Sequence, residues 1–548
     1  MSVPFRMRDA VAWTGGTLLQ GRPEAEVAGV SIDTRTLEPG QLFVAIAGPN
    51  HDGHAFLEPA LRAGAGGLVV EAGRELPGGF DPRLPGQPFD TEPRPLVRSK
   101  LDPGPLPKDE SDLAHAPITK LSRWIESGAL TSRELTAIYL ERLRGLGPEL
   151  LCVVSLTEER ALDRAAQADR EIADGGYRGP LHGIPWGAKD LLDTAGIATT
   201  YGAAPYRDRV PQADAEVVRR LDGAGAVLAA KLSLGELAQG DVWFGGLTRN
   251  PWQADTGSGG SSAGPAAATV AGLVGFGIGS ETLGSIANPA AICGAVGLRP
   301  TFGRVPRTGA MALCWSLDKL GPICRSVEDT ALVLDAICGP HAGDPDGIDL
   351  PFRFDAGAPV EGLRVGFMPA HFADTDPVQR AALDALAACG LELVPVEIPD
   401  LPYETLVTVL QVEAAAAFED LTLSDRDDEL VQQDETAWPN VLRTARFVPA
   451  VEFVQLQRVR RRVMEAMRAL FDSVDVVAAP DWGHVFSLAT NASGHPALTL
   501  RAGFASTGLP LALTLHGRLF DEGTLCRVGM ALEERLGVQG RRPDGTPG

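Results

Sequence analysis

The apolar positions of this chain change rhythm twice. From Met1 to about Arg74 they fall in short runs between turn residues, which predicts a small α/β domain over residues 1–75. Its strands are expected at Val27–Ile32, Leu42–Ile46 and Gly67–Glu71, with a turn at Glu38, Pro39 and Gly40 and a helix over His54–Ala63. Across residues 76–112 the rhythm stops. Nine prolines from Pro77 to Pro107 lock φ and remove N–H donors, so this stretch is predicted to be a linker or an extended arm on a surface. From about Leu113 a helical period appears at Ile118–Ser127, Thr131–Leu143 and Glu158–Asp174. Short apolar strands, helices and glycine-rich loops then alternate to about Leu536, the pattern of a large layered α/β domain over residues 113–540 with no internal repeat. The last dozen residues, rich in Gly, Arg and Pro, read as frayed.

Length and charge narrow the partners. A chain of 548 residues exceeds what one hydrophobic core fills, so more than one folding unit is expected. The net charge of −22 repels phosphate backbones, which argues against nucleic acid as a partner of the chain on its own and for a cationic partner or a neutral small molecule. Seven scattered cysteines without a C-x-x-C pair indicate neither a disulfide framework nor a thiolate zinc site. With no signal-like h-region and no run of about 18 apolar residues, a cytoplasmic location and no membrane partner are expected. Homo-oligomerisation is left open. Lysines number only six, Lys100, Lys108, Lys120, Lys189, Lys231 and Lys319. Arginine keeps its proton in a protein whereas a desolvated lysine can lose it, so a lysine in an apolar setting calls for a chemical explanation.

Three glycine-bearing loops hold the candidate chemistry. The first, Gly183 to Gly202, places Lys189 after a strand-like apolar run and beside Asp190; by itself this reads first as a structural ion pair. The second, Thr256 to Gly272, contains G-x-S-x-G at Gly260, Ser262 and Gly264, the pattern of a nucleophile elbow. An elbow needs a strand immediately before it, and Asp255–Gly259 reads as loop; a flexible connector or an anion-binding nest fits the same residues. The third, Gly279 to Pro300, follows a predicted strand over Leu273–Ile278. Its turn through Ser285 either converges N–H groups on one oxygen, as an oxyanion hole requires, or closes a tight turn inside a core.

Taken together, in wording and order, these loops resemble the amidase signature family of serine hydrolases. That family has a lysine in a G-I-P-x-x-x-K-D segment, a serine in a G-G-S-S-G-G-like loop and a nucleophilic serine in a G-G-S-I-R-like loop, which fall here on Lys189, Ser261 and Ser285. The two serines are 285 − 261 = 24 positions apart, the family spacing. The likeness continues through Gly179–Pro185, Val296–Val305, Ser316–Asp329, Asn491–Leu500 and Gly517–Leu525, and covers about Leu113 to Leu536. It implies an α/β amidase signature fold with a large mixed central β-sheet covered by helices on both faces, and an amidase that uses no cofactor and no metal. It also implies a Ser-Ser-Lys triad with Ser285 as nucleophile, Ser261 on a cis peptide as bridge and neutral Lys189 as base. The oxyanion hole falls on the backbone N–H groups of Thr282, Leu283, Gly284 and Ser285. Two positions depart from the pattern. Leu283 stands where glycine is common, and Ala287 stands where an arginine commonly follows the nucleophile by two, which makes an acidic substrate less expected.

Ser31 to Glu71 resembles the N-terminal domain of the Mur ligases, but no Gly-Lys dipeptide exists for the phosphate loop that a ligase would need. His182, His484, His495 and His516 form no metal-binding pattern and are expected to be structural. Met311, Leu313 and Trp315 are candidates for an acyl pocket or for ordinary core. A small-molecule amide is the expected substrate. Two rival readings remain: a glutaminase (A) subunit of a tRNA-dependent amidotransferase, which needs a partner protein, and a catalytically silent binding protein with the same fold.

Overall fold

The computed structural model describes residues 5–14, 26–47, 52–70, 95–480 and 485–543. The chain divides into two compact units, Met1–Glu92 and Pro93–Gly548. In the smaller unit, strands Val30–Ser31, Leu42–Val44 and Gly67–Val69 form a parallel three-stranded sheet in that order. Its core holds Phe43, Ala45, Leu57 and Ala60. The run expected as one strand over Val27–Ile32 is instead two: Glu26–Val27 pairs with Phe5–Arg6, and Val30–Ser31 joins the sheet. Between them the Ala28 N–H turns to the carbonyl of Gly40. The expected helix begins as a 3-10 turn, Gly53–Phe56, capped by the Asp52 carboxylate, and continues as Leu57–Arg62. Glu71, the end of the third expected strand, lies outside the described residues.

Within the larger unit, residues 95–109 of the proline-rich stretch run extended along the surface, and its last residues enter a short helix, Glu110–Ala114, capped by Asp109. The Val97 N–H donates to the Phe354 carbonyl, the Ala356 N–H returns to the Val97 carbonyl, and the Ser99 N–H donates to Glu328. Residues 76–94 of that stretch, and 544–548 at the C-terminus, lie outside the described residues.

An eleven-stranded mixed sheet organises this unit. In chain order its strands are β1 (Val153–Leu156), β2 (Pro185–Lys189), β3 (Val227–Leu232), β4 (Phe276–Glu281), β5 (Val296–Arg299), β6 (Lys319–Cys324), β7 (Arg364–Phe367), β8 (Glu392–Pro395), β9 (Val476–Ala479), β10 (Ala497–Phe504) and β11 (Pro510–Gly517). Their spatial order is β8-β7-β9-β11-β10-β5-β6-β4-β2-β3-β1. The neighbours β4, β2 and β3 are parallel, whereas β4 meets β6 antiparallel. Strands β2 and β3 are buried along their whole length, as expected of parallel strands covered on both faces. Trp186 of β2 stacks on Phe276 of β4.

The helices that position the site follow their sequence signals. Helix α1 (Ile118–Glu126) has its first N–H groups held by the buried carboxylate of Asp329, and α2 (Ser132–Leu150) starts on a capping box between Thr131 and Glu134. The latter runs to Leu150, past its expected end at Leu143, and accommodates Pro148 in its last turn. Helix α3 (Glu158–Ala173) lies where the periodicity placed it. Helix α4 (Ala263–Val270) follows the second glycine loop and packs on β4, α5 (Ala287–Cys293) follows the third loop, and α6 (Val327–Ile337), α7 (Val485–Ser493) and α8 (Glu522–Leu536) complete the set used below.

Two boundaries differ from expectation. The strand predicted over Leu273–Ile278 starts three residues later and carries Ser280 and Glu281 within it. Ahead of the second loop, Gln253–Gly257 is a strand rather than loop, but it pairs only with Arg249–Asn250, away from the large sheet. The second loop therefore lacks the sheet strand that an elbow requires. The close seat of α4 on β4 depends on Gly277: a Cβ there would stand 2.9 Å from Pro265 Cβ and 3.0 Å from its Cα. Gly277→Val is thus expected to push α4 away and lower the urea midpoint by the equivalent of about 1–3 kcal/mol. An unchanged midpoint would show that the helix has slack there.

Candidate active site

Strand β2 ends at Lys189, and the alternation of side chains along a strand sends Lys189 and Asp190 to opposite sides. The two do not pair. Asp190 instead meets the buried Lys231 of β3 at 3.0 Å and accepts from the N–H and hydroxyl of Thr200. Lys231 completes its donors on the Leu192 carbonyl and the Thr199 hydroxyl.

Lys189, freed from its neighbour, is fully buried among oxygens of two other loops. Its Nζ lies 2.8 Å from Ser261 Oγ, 2.9 Å from Ser262 Oγ and 2.9 Å from Ser280 Oγ, with the Ser280 carbonyl at 3.4 Å. Burial lowers its pKa well below the ordinary 10.5, and the more distant charges of Asp318 and Glu281 only partly oppose this. A neutral amine at this distance can accept the proton of a serine hydroxyl.

The serine loops are tied to each other through the backbone. The Gly260–Ser261 peptide is cis. The Gly260 N–H donates to Asn288 Oδ1 of α5 at 2.8 Å, and the Ser262 N–H donates to the Ser285 carbonyl at 3.1 Å. Ser261 is buried and Ser285 is partly exposed, so of the two serines Ser285 is the one open to a substrate. The positive φ of the turn falls on Gly284, at +101°, so Leu283 does not need the left-handed conformation that a glycine would supply.

The turn between β4 and α5 closes on Glu281. One of its oxygens accepts from the N–H groups of Ile286 and Ala287 at 2.8 and 2.9 Å; the other accepts from Arg299 at 2.7 Å and from Asn491 of α7 at 3.0 Å. Burial works against this charge, but Arg299 and the Ala287 N–H outweigh it and hold the carboxyl at about 2. Thr282 donates to Asp318 at 2.6 Å, whose other oxygen takes the N–H groups of Leu313 and Cys314. Beside this turn lies a cavity of about 230 Å³ whose lining includes Ser280, Thr282, Met311, Leu313 and Trp315.

Similarity to known proteins places the chain in a family. The amidase family profile matches residues 134–485. The A subunit of the glutamyl-tRNA(Gln) amidotransferase of Roseiflexus sp. (strain RS-1) is 34% identical over 76% of this chain and 96% of its own length. Its counterpart in Heliobacterium modesticaldum is 32% identical, again over 76% of this chain and 96% of its own. Among solved structures, the native peptide amidase from Stenotrophomonas maltophilia is similar with a TM-score of 0.69 and 32% identity, covering 78% of this chain and 98% of that one. This chain belongs to the amidase family. As an amidase it is a hydrolytic enzyme acting on carbon–nitrogen bonds, and the mixed eleven-stranded sheet is the amidase signature fold expected from the sequence.

The expected positions, Lys189, Ser261 and the turn from Thr282 through Ser285, thus lie around one region of the amidase fold. Sequence reasoning missed the residues that hold them: Ser262 and Ser280 at the amine, Asp190 with Lys231, and Glu281 with Arg299. The scarcity of lysines was a signal for Lys231, which is as buried as Lys189. Of the histidines, His182 meets Glu171, His495 meets Ser493 and His516 meets Thr490; His484 lies outside the described residues.

Glu281 gives a pH test. Its folded value near 2 lies below the ordinary 4.5, so its contribution is full above 4.5 and is lost as pH falls toward 2. Glu281→Gln should therefore be less stable than wild type at neutral pH by about 3 kcal/mol, with the gap closing as the solution is acidified. Denaturant melts from pH 7 to pH 3 measure it; a gap that does not change with pH would mean that the carboxyl is not held ionised.

Proposed function

We propose that this amidase hydrolyses a carboxamide to a carboxylate and ammonia or an amine through an acyl-enzyme on Ser285. Neutral Lys189 takes the Ser261 proton as Ser261 takes that of Ser285, and the Ser285 oxygen attacks the amide carbon. Backbone N–H groups of Thr282, Leu283, Gly284 and Ser285 receive the oxyanion. The proton then returns through Ser261 to the departing amine, and water cleaves the ester by the same relay in reverse. The observation that carries this reading is the buried Lys189 amine, 2.8 Å from Ser261 Oγ in a loop bonded to Ser285.

A second reading, a glutaminase (A) subunit of a tRNA-dependent amidotransferase, is favoured by the 34% identity with the Roseiflexus protein. It requires a partner protein. We take the smaller unit to be a separate domain resembling the Mur ligase N-terminal domain, which its three parallel strands support. A cytoplasmic setting is supported by seven unpaired cysteines.

A fluorophosphonate probe should label Ser285, as read by peptide mass spectrometry, and Ser285→Ala, Lys189→Ala and Ser261→Ala should each lose about a thousandfold or more in amide hydrolysis. Wild-type turnover in the Ser285 or Lys189 variant rules the mechanism out. Because protonated Lys189 cannot accept, the labelling rate should fall on the acid side with a midpoint well below 10.5. Lys189→Met should label slowly at every pH; an acid limb surviving in that variant would assign the base elsewhere.

A further inference from the structure

The cavity beside the serine loop has an apolar body and a charged rim. Met311, Leu313 and Trp315 supply the first; Arg307, Asp344 and Asp346 supply the second. Arg307 is the one cation among the lining residues, and it is already engaged. Its Nε and Nη2 donate to the two oxygens of Asp344 at 3.1 and 2.9 Å, and Nη2 also donates to Asp346 at 2.5 Å. Its Nη1 donates to the Trp315 carbonyl at 2.5 Å, and its guanidinium lies 4.9 Å above the Phe302 ring. Burial opposes ionisation of Asp344, yet the bonds from Arg307 hold its carboxyl below the ordinary value. Two carboxylates therefore face one guanidinium, and the Asp346 side chain, 45% exposed, leaves negative charge at the rim. Of the residues of the serine turn itself, Ala287 offers no cation.

We propose that this cavity takes the acyl part of the amide and discriminates by charge, accepting aromatic or aliphatic acyl groups that are neutral or cationic and rejecting those that carry a carboxylate. The inference rests on Ser285 being the nucleophile. An anionic acyl group would have to displace Asp344 or Asp346 from Arg307 or sit against the excess carboxylate. A cationic group gains from the same field. Free glutamine is disfavoured for this reason, since its α-carboxylate finds no available guanidinium among the lining residues.

The test uses three 3-phenylpropanamides that differ only in a para aminomethyl, hydroxymethyl or carboxylate group. Each is measured as a substrate and as a protectant of Ser285 against a fluorophosphonate probe, with the full chain at pH 7. The aminomethyl compound should protect at a concentration about tenfold lower than the carboxylate, and the difference should shrink as salt is raised. Asp346→Asn should reduce that ratio several-fold, and Asp344→Asn, which frees Arg307 further, should reduce it more. Equal protection by all three compounds, no protection by any, or a ratio unchanged in both variants overturns the proposal while Ser285 remains labelled. Failure of the probe to label Ser285 in the wild-type chain overturns the catalytic reading beneath it instead.

Discussion

The arrangement of the site turns on one desolvated amine. Lys189 is buried among hydroxyl and carbonyl oxygens, and no carboxylate of the described residues touches it. A carboxylate in contact would favour the ammonium form and offset the effect of burial. Asp318 and Glu281 act on the amine from a distance, and they and the neighbouring Asp190 are each committed elsewhere: Asp190 to Lys231, Glu281 to Arg299 and two N–H groups, and Asp318 to Thr282 and two more N–H groups. They leave the amine with hydroxyls as its partners.

The sheet supplies the placement. Ala188 pairs with Ile278 across parallel strands β2 and β4, so the amine emerges next to Ser280 at the carboxyl ends of both strands. In open α/β sheets that edge is where sites collect, because the strands are rigid and the loops leaving them can vary. Here Lys189 sits on a strand and both serines, Ser261 and Ser285, sit on loops. The loops gain rigidity from backbone bonds, Gly260 to Asn288 and Ser262 to Ser285, rather than from a second strand.

The identity of the chemistry was legible in short words of sequence, and its support was not. Lys189, Ser261 and Ser285 stand in local motifs, and it is those motifs that carry the family resemblance. Asp190 pairs with a residue 41 positions away, Glu281 with one 18 away and with Asn491 210 away, and no local pattern encodes such meetings. Alternation along β2 could have foretold that Lys189 and Asp190 part company, and the ion-pair reading of the two overlooked it. The end of α2 differs too: the helical period reads to Leu143, whereas the helix runs on to Leu150 with Pro148 inside it.

The departures of this chain from the family pattern fall where side chains matter least to the serine turn. At residue 287 the backbone N–H, not the side chain, meets Glu281, so replacing arginine by alanine leaves the anchor of the turn intact. At residue 283 the turn spends its positive φ one position later, on Gly284, and leucine fits. What changes is the charge that the site presents to a substrate. With alanine at residue 287 and Arg307 bonded to two carboxylates, the turn keeps its backbone anchor and offers no cation to an acidic group.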